Sequence, residues 1–340
     1  MKKKGILALF AALAFAGVPF INTEAVFSET AFDMKKTVSY VWEGNEVYQE
    51  SVLVVEEEDG TIAPIDLLYP IDEVVEVLNA SLTKRYEENT DYTVENGKLI
   101  VKGGGDIPTL SYSEFHPTTG TAGFEAVGGG YVQWKEGSWY HSRQIVVTYK
   151  HSSSYSEYVP EGKGVLLPKT LEKLKGSELN VLVYGDSIST GGNSSGHPQI
   201  NVAPFMPIYP QLFCEGIKLE YGVENVSLYN ASLGGTDSAW GLSSLRERVF
   251  DKCEKIDLAI LAFGMNDVNK DPSAYASNMR RMVNGLKTKY DDIEFLVVAP
   301  MLPNPEAVNF YGKQPQFAEA LMPNEGEGVA IVNVTDLHAG

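Results

Sequence analysis

Hydrophobic and polar positions follow two different patterns along the chain. Between about residues 35 and 150, short runs rich in Val, Ile, Tyr and Trp alternate with polar positions, and turns such as Glu95-Asn96-Gly97 separate them. This alternation predicts a β-rich domain over residues 35–160, most simply an antiparallel sandwich. Within it, residues 70–82 are predicted to contain a short helix. The polar, turn-rich stretch 151–164 is expected to end the domain.

The second half, residues 178–340, alternates apolar runs with helical stretches. Five runs are nearly continuous in Val, Ile and Leu: LNVLVYG, NVSLYNAS, IDLAILAFG, IEFLVVAP and VAIVNV. Strands of this kind, separated by helices, predict a doubly wound, five-stranded parallel sheet that helices cover on both faces. In such α/β sheets, ligands bind beyond the carboxyl ends of the strands. We therefore expect the functional residues at those ends.

The first 25 residues have the pattern of a signal peptide. Three lysines precede an apolar run, and small residues follow at Thr23 and Ala25. This predicts export to the periplasm, the cell surface or the medium. The alternative is a retained N-terminal anchor, since the run is near the lower length limit of a membrane span. Apart from this segment, we expect no membrane association.

Composition narrows the possible partners. Lys+Arg 27 against Asp+Glu 45 gives a net charge of −18, which argues against nucleic acid and anionic membranes. Cys214 and Cys253 are expected to be buried free thiols, although the sequence leaves their pairing open, as it does the oligomeric state. Neither metal-ligand spacing nor a phosphate-cradling motif occurs, so we expect no metal and no cofactor.

Three successive strands end in polar, glycine-bearing motifs. These motifs are Gly185-Asp186-Ser187, the segment from Asn230 to Gly235, and the segment from Gly264 to Asp267. Because the carboxyl ends of parallel strands meet at one edge of the sheet, we expect the motifs to lie together. Taken alone, Ser187 is equally explained as a helix N-cap and Asn266 as the start of an Asx-turn. Neither explanation accounts for the recurrence of such ends on three strands.

In combination these motifs resemble those of the SGNH (GDSL-type) hydrolases, over roughly residues 178–340. The resemblance implies hydrolysis of esters or thioesters through an acyl-enzyme. It implies Ser187 as the nucleophile, with the Gly235 N–H and the Asn266 side-chain amide as oxyanion donors. The chemistry of acyl transfer supports these roles independently, because it needs an activated hydroxyl and donors aimed at the developing negative charge.

The general base is the element of the predicted site at which the sequence departs from the family pattern. The family places an Asp-x-x-His motif after its last strand, whereas here Asp336 lies two residues before His338 and Thr335 lies three before. We therefore expect a C-terminally incomplete member whose base lies beyond residue 340. His338 is the alternative base within the sequence. His197 is expected to line the substrate pocket.

The substrate is predicted from the walls of the expected cleft. The loop 190–210 and Trp240 supply these walls without evident cations, which disfavours phosphorylated and coenzyme A substrates. An exported, acidic chain with a β-rich domain fits removal of small acyl groups, chiefly acetyl, from small or polymeric carbohydrate esters. One alternative is a lipid or aryl esterase. Another is a catalytically weak carbohydrate-binding protein that uses Trp134, Trp139 and Tyr140.

Overall fold

The structure is a computed structural model that describes residues 32–119, 123–309 and 312–339. The predicted signal peptide, residues 1–25, lies outside the described residues. No helix in the described part of the chain is long and apolar enough to cross a membrane. Both cysteines are free: Cys214 is buried and Cys253 is partly exposed.

The first half is β-rich, as predicted. Its strands are β1 (Glu46–Leu53), β2 (Glu73–Asn79), β3 (Arg85–Tyr86), β4 (Tyr92–Glu95), β5 (Lys98–Val101), β6 (Gly123–Glu125), β7 (Tyr131–Gln133) and β8 (Gln144–Lys150). Two one-turn helices, α1 (Met34–Thr37) and α2 (Tyr112–Phe115), belong to the same half. One antiparallel sheet has the order β1-β8-β2-β3, and β4-β5 and β6-β7 form separate hairpins. Side chains of the β4-β5 hairpin share a core with this sheet.

The helix predicted within residues 70–82 is wrong, because this segment contains strand β2. Val77 is fully buried and lies opposite Val147 of β8 on one side and Tyr86 of β3 on the other. β-branched side chains such as Val pack well on a pleated surface. Pairing with two neighbouring strands therefore outweighs any local helical tendency.

The second half contains the predicted five-stranded parallel sheet, which confirms the α/β fold class. Its strands are β9 (Glu178–Gly185), β10 (Asn225–Asn230), β11 (Leu258–Ala262), β12 (Glu294–Ala299) and β13 (Val329–Asn333), in the order β10-β9-β11-β12-β13. Its helices are α3 (Pro168–Lys173), α4 (Ser187–Thr190), α5 (Tyr209–Tyr221), α6 (Ser238–Leu245), α7 (Pro272–Lys287), α8 (Gln314–Leu321) and α9 (Val334–Ala339). Every neighbouring pair in this sheet is parallel.

Strand β9 shows why its sequence is apolar at almost every position. Leu182 and Tyr184 point into a core that contains side chains of α6, α7 and α8. Val181 and Val183 point to the opposite face, where α5 contributes its own apolar side chains. Because successive strand residues alternate between faces, a strand covered on both sides has no polar face.

The two halves contact each other at the carboxyl edge of the parallel sheet. Residues 306–308, which follow β12, pair with the β6-β7 hairpin, so that Ala307 lies opposite Ala126. Segment 134–143 of the β-rich half contacts the loop that follows α4. Trp139 and Tyr140 pack against a small core around Phe115. These two rings are partly buried and contribute to the packing of the β-rich half.

Candidate active site

The strand order brings the three predicted strand ends side by side. Strand β9 lies between β10 and β11, with Gly185 opposite Ala262 of β11. Across the other side, the N–H of Leu233 donates to the carbonyl of Gly185 at 3.1 Å. After β9 the chain adds β10 on one side of the sheet, and β11 to β13 on the other. The topological switch point therefore lies between β9 and β11, and doubly wound sheets bind ligands at such a point.

Ser187 is the first residue of α4 and is buried, with 8% of its surface exposed. Asp186 caps this helix by accepting a hydrogen bond from the Ile188 N–H at 3.0 Å. The Asp186 carboxylate also accepts a hydrogen bond from the Met265 N–H. Asp186 thus joins the end of β9 to the loop after β11. Among the described residues, no side chain hydrogen-bonds to Ser187 Oγ.

The loop after β10 leaves two glycine amides available. Its carbonyls are engaged: Arg248 donates from Nε and Nη2 to Ala231, and Nη2 also donates to Ser232. Within the described part of the chain, the N–H groups of Gly234 and Gly235 find no acceptor. Backbone donors are almost always satisfied by protein or solvent. These two amides lie in the loop that pairs with the end of β9, two residues before the buried Ser187, and amides of this kind can bind an oxyanion.

Asn266 is tied to the same glycine loop. One of its Nδ2 hydrogens goes to the carbonyl of Thr236 at 3.0 Å, which leaves the second hydrogen of the amide as a donor. The neighbouring Asp267 is fully buried and accepts hydrogen bonds from the N–H and the hydroxyl of Ser238. The loops that carry Gly235 and Asn266 are therefore fixed against each other.

Two buried carboxyl groups, those of Asp186 and Asp267, lie at this edge of the sheet. Burial, and secondarily the charge of Asp267, raises the pKa of Asp186 to about 7. Burial also raises the pKa of Asp267, although hydrogen bonds from Ser238 and the charge of Lys270 oppose the shift. A carboxyl that titrates near neutrality at a strand end is typical of functional sites.

His338 lies in α9, directly after the edge strand β13, and not in a loop. This helix is attached to the end of β12, since the Thr335 hydroxyl donates to the carbonyl of Pro300 at 2.7 Å. The described contacts do not include a hydrogen bond between His338 and Ser187. Its role as the base stays a prediction.

The two predicted wall residues occupy different settings. His197 lies in the loop after α4, where its Nδ1 accepts a hydrogen bond from the Gln199 N–H at 3.2 Å, and burial lowers its pKa. Trp240 lies in α6 and packs against the core, with its ring centroid 6.1 Å from that of Tyr184. Among the described residues, no cluster of three or more His, Cys, Asp or Glu side chains is placed to hold a metal ion.

Sequence reasoning missed two features of this site. The first is the bond from Met265 to Asp186, and the second is Arg248, which follows α6 in one π-helical turn, Arg246–Phe250. Insertions of this kind within helices are frequent at functional sites. The sequence signal for Arg248 is only a cation on the helix after the glycine motif, about one dozen residues away.

Comparison with known proteins finds no matching family profile and no matching curated sequence. Solved structures do resemble the chain. They include a two-domain esterase active on acetylated mannans (CEX; TM-score 0.39, 20% identity, 50% of this chain and 41% of that one). They also include AlinE4, an SGNH-hydrolase family esterase (TM-score 0.36, 23% identity, 48% and 79%) and the acetyl xylan esterase AlAXEase (TM-score 0.37, 18% identity, 47% and 80%). The chain thus spans about two fifths of the length of the mannan esterase.

Proposed function

We propose that this chain is a serine hydrolase of carboxylic esters, of the SGNH type. Ser187 Oγ attacks the ester carbonyl and forms a new C–O bond, while its proton passes to a base. The C–O bond to the alcohol then breaks, the alcohol leaves with a proton, and water hydrolyses the acyl-enzyme. The Gly235 N–H and the free Asn266 Nδ2 hydrogen stabilise the oxyanion of both steps.

One observation carries the proposal: two glycine amides that find no acceptor among the described residues lie in the loop after β10, and β10 neighbours β9, which ends two residues before the buried Ser187. Asp186 fixes Ser187 to the loop of Asn266, and Asn266 fixes that loop to the glycine loop. An N-cap role for Ser187 does not explain this arrangement, because Asp186 already caps the helix.

The substrates are small acyl esters, chiefly acetyl, on carbohydrates, and the protein acts after export. Net charge of −18 disfavours anionic substrates. Of the solved structures that resemble this chain, one is an esterase active on acetylated mannans and another is an acetyl xylan esterase.

Covalent labelling tests the reaction class. A fluorophosphonate probe is expected to modify the chain once, at Ser187, and Ser187→Ala is expected to abolish both labelling and hydrolysis of vinyl acetate. Asn266→Ala removes one oxyanion donor and should lower kcat about 100- to 1000-fold. Ser243→Ala, an exposed serine on α6, is the matched control. Labelling of the Ser187→Ala variant at an undiminished rate would refute the proposal.

His338 is proposed as the base within this chain. His338→Ala should then abolish hydrolysis while leaving the thermal midpoint nearly unchanged. Unchanged turnover in this variant assigns the base elsewhere.

A further inference from the structure

The loop between α4 and α5 is closed at its base beside the nucleophile helix. Gly191 ends α4 in a left-handed conformation (φ 73°), and Ile208 precedes α5. These residues pack so closely that a Cβ on Gly191 would lie 2.2 Å from Cγ2 of Ile208. A compact loop with adjoining ends is often functional. This loop begins only four residues after Ser187.

Hydrogen bonds within the loop fix its last residues before α5. The Met206 N–H donates to the Ser195 hydroxyl at 2.9 Å, and the Gly196 N–H donates to the Met206 carbonyl at 2.9 Å. The Phe205 N–H donates to the carbonyl of Val202. Residues 203–206 are therefore held by contacts on both sides.

The β-rich half braces the same loop from outside. His141 Nε2 lies 2.7 Å from the carbonyl of Ala203, and since a carbonyl only accepts, this nitrogen carries the hydrogen. The Gly137 N–H donates to Asn193 Oδ1 at 3.0 Å. Segment 134–143 thus contacts the loop at two points, at Asn193 near its start and at Ala203 near its C-terminal end.

Phe205 is the residue that this bracing presents to solvent. Its side chain is 54% exposed, and its backbone has φ 59°. The left-handed region is strained for a bulky residue, and such strain is concentrated at functional sites. The fold therefore maintains an exposed aromatic ring in a strained, fixed position at the edge of the sheet where Ser187 lies.

We propose that Phe205 binds the alcohol part of the ester by stacking on the face of a sugar ring, and that His141 positions it. This inference rests on the proposed function. Ser187 is buried while Phe205 is half exposed, so the ring suits the part of a polymeric substrate that remains outside the cleft. A neutral sugar also meets no repulsion from an acidic protein, and an aromatic ring offers it a flat apolar face.

Steady-state kinetics on two substrates test this role. With acetylated xylan, Phe205→Ala should raise KM about tenfold and leave kcat unchanged, because stacking contributes equally to ground state and transition state. With vinyl acetate, which has no ring, both constants should stay within about twofold. Phe205→Tyr should retain the wild-type KM. Tyr221→Ala is the matched control, since Tyr221 is 53% exposed and ends α5 at the opposite edge of the sheet.

A second pair of variants tests the positioning role of His141. His141→Ala should raise KM for acetylated xylan in the same way, whereas His141→Gln retains an N–H donor and should restore it. Hydrogen exchange of residues 191–208 should accelerate in His141→Ala and should stay at the wild-type rate in His141→Gln. Equal losses with both substrates, or no rescue by Gln, would overturn the role of His141.

An unchanged KM for acetylated xylan in Phe205→Ala overturns the inference, as does a change confined to preference for the length of the acyl chain. A chain that hydrolyses vinyl acetate but not acetylated xylan also overturns it, while the ester hydrolase assignment stands. Failure with both esters, together with failed labelling of Ser187, instead refutes the proposed function itself.

Discussion

Asp186 joins α4, the helix of the proposed nucleophile Ser187, to the loop of Asn266, and its burial makes its ionisation costly. The pKa of Asp186 is about 7 in the folded chain, against about 3.9 for an aspartate in the unfolded state. The folded state therefore binds the extra proton between these two values, and this residue's contribution to stability falls as pH rises from about 4 to about 7. In the Asp186→Asn variant this dependence is absent. The free energy of unfolding of the variant, minus that of wild type, should thus increase between pH 4 and pH 8, as urea unfolding can measure.

The matched control for this prediction is Asp271→Asn. Asp271 caps α7 at the surface, and a hydrogen bond from Ser273 lowers its pKa. Its contribution to stability is present above the pKa of the unfolded chain and is lost as pH falls, the opposite sign. A difference between Asp186→Asn and wild type that stays constant from pH 4 to pH 8 would contradict the raised pKa of Asp186.

Arg248 holds the loop that carries the proposed oxyanion donor Gly235. Its guanidinium holds the carbonyls of Ala231 and Ser232, and these bonds orient the loop so that the next amides stay available. Arg248→Met should lower kcat roughly tenfold to 100-fold with little change in KM, since small misplacements at a reacting centre are costly. Arg248→Lys should recover only part, because an ammonium lacks the planar fork. Arg246→Met, an exposed neighbour, should match wild type, and equal losses in both variants would assign Arg248 a structural role.

At the scale of whole elements, the parallel sheet was predictable and the details of its edge were not. Each strand of this sheet is covered on both faces, so its apolar run is visible in the sequence without knowledge of its neighbours. The same logic predicted that the motifs ending β9, β10 and β11 share one edge. Strand β2 was mistaken for a helix because its identity depends on β8, which lies more than 60 residues away along the chain.

Contacts that side chains make with the backbone of distant segments are the part of the site that sequence patterns do not encode. Arg248 reaches a loop 16 and 17 residues away, and His141 reaches Ala203 across 62 residues. Neither has a local periodicity that marks its partner. The prediction that residues 35–160 form a β-rich domain likewise carried no hint that this domain contacts the loop after α4.

In the molecule as a whole, the two halves are joined at the β6-β7 hairpin. Residues from the other half pair with this hairpin through the backbone. The Val127 N–H donates to the carbonyl of Glu306, and the Val308 N–H donates to the carbonyl of Glu125, each at 2.8 Å. His116 Nε2 adds a contact to the Glu306 carboxylate at 3.0 Å. A two-stranded hairpin alone is marginally stable in water, so this third strand couples the halves.

Val127→Pro removes one hydrogen bond of this junction and tests the coupling. Since Pro lacks the N–H and disturbs a strand, we expect the thermal midpoint to fall by about 2–4 °C in calorimetry, equivalent to roughly 1 kcal/mol. Hydrogen exchange of β7 should accelerate together with that of residues 306–308, because each segment protects the other. Val159→Pro is the control, since Val159 is exposed and its N–H makes no backbone hydrogen bond within the described residues. If exchange accelerates in β7 while residues 306–308 stay protected, the hairpin is not held by the α/β half, and the bracing of the site from the β-rich half must rest on His141 and Gly137 alone.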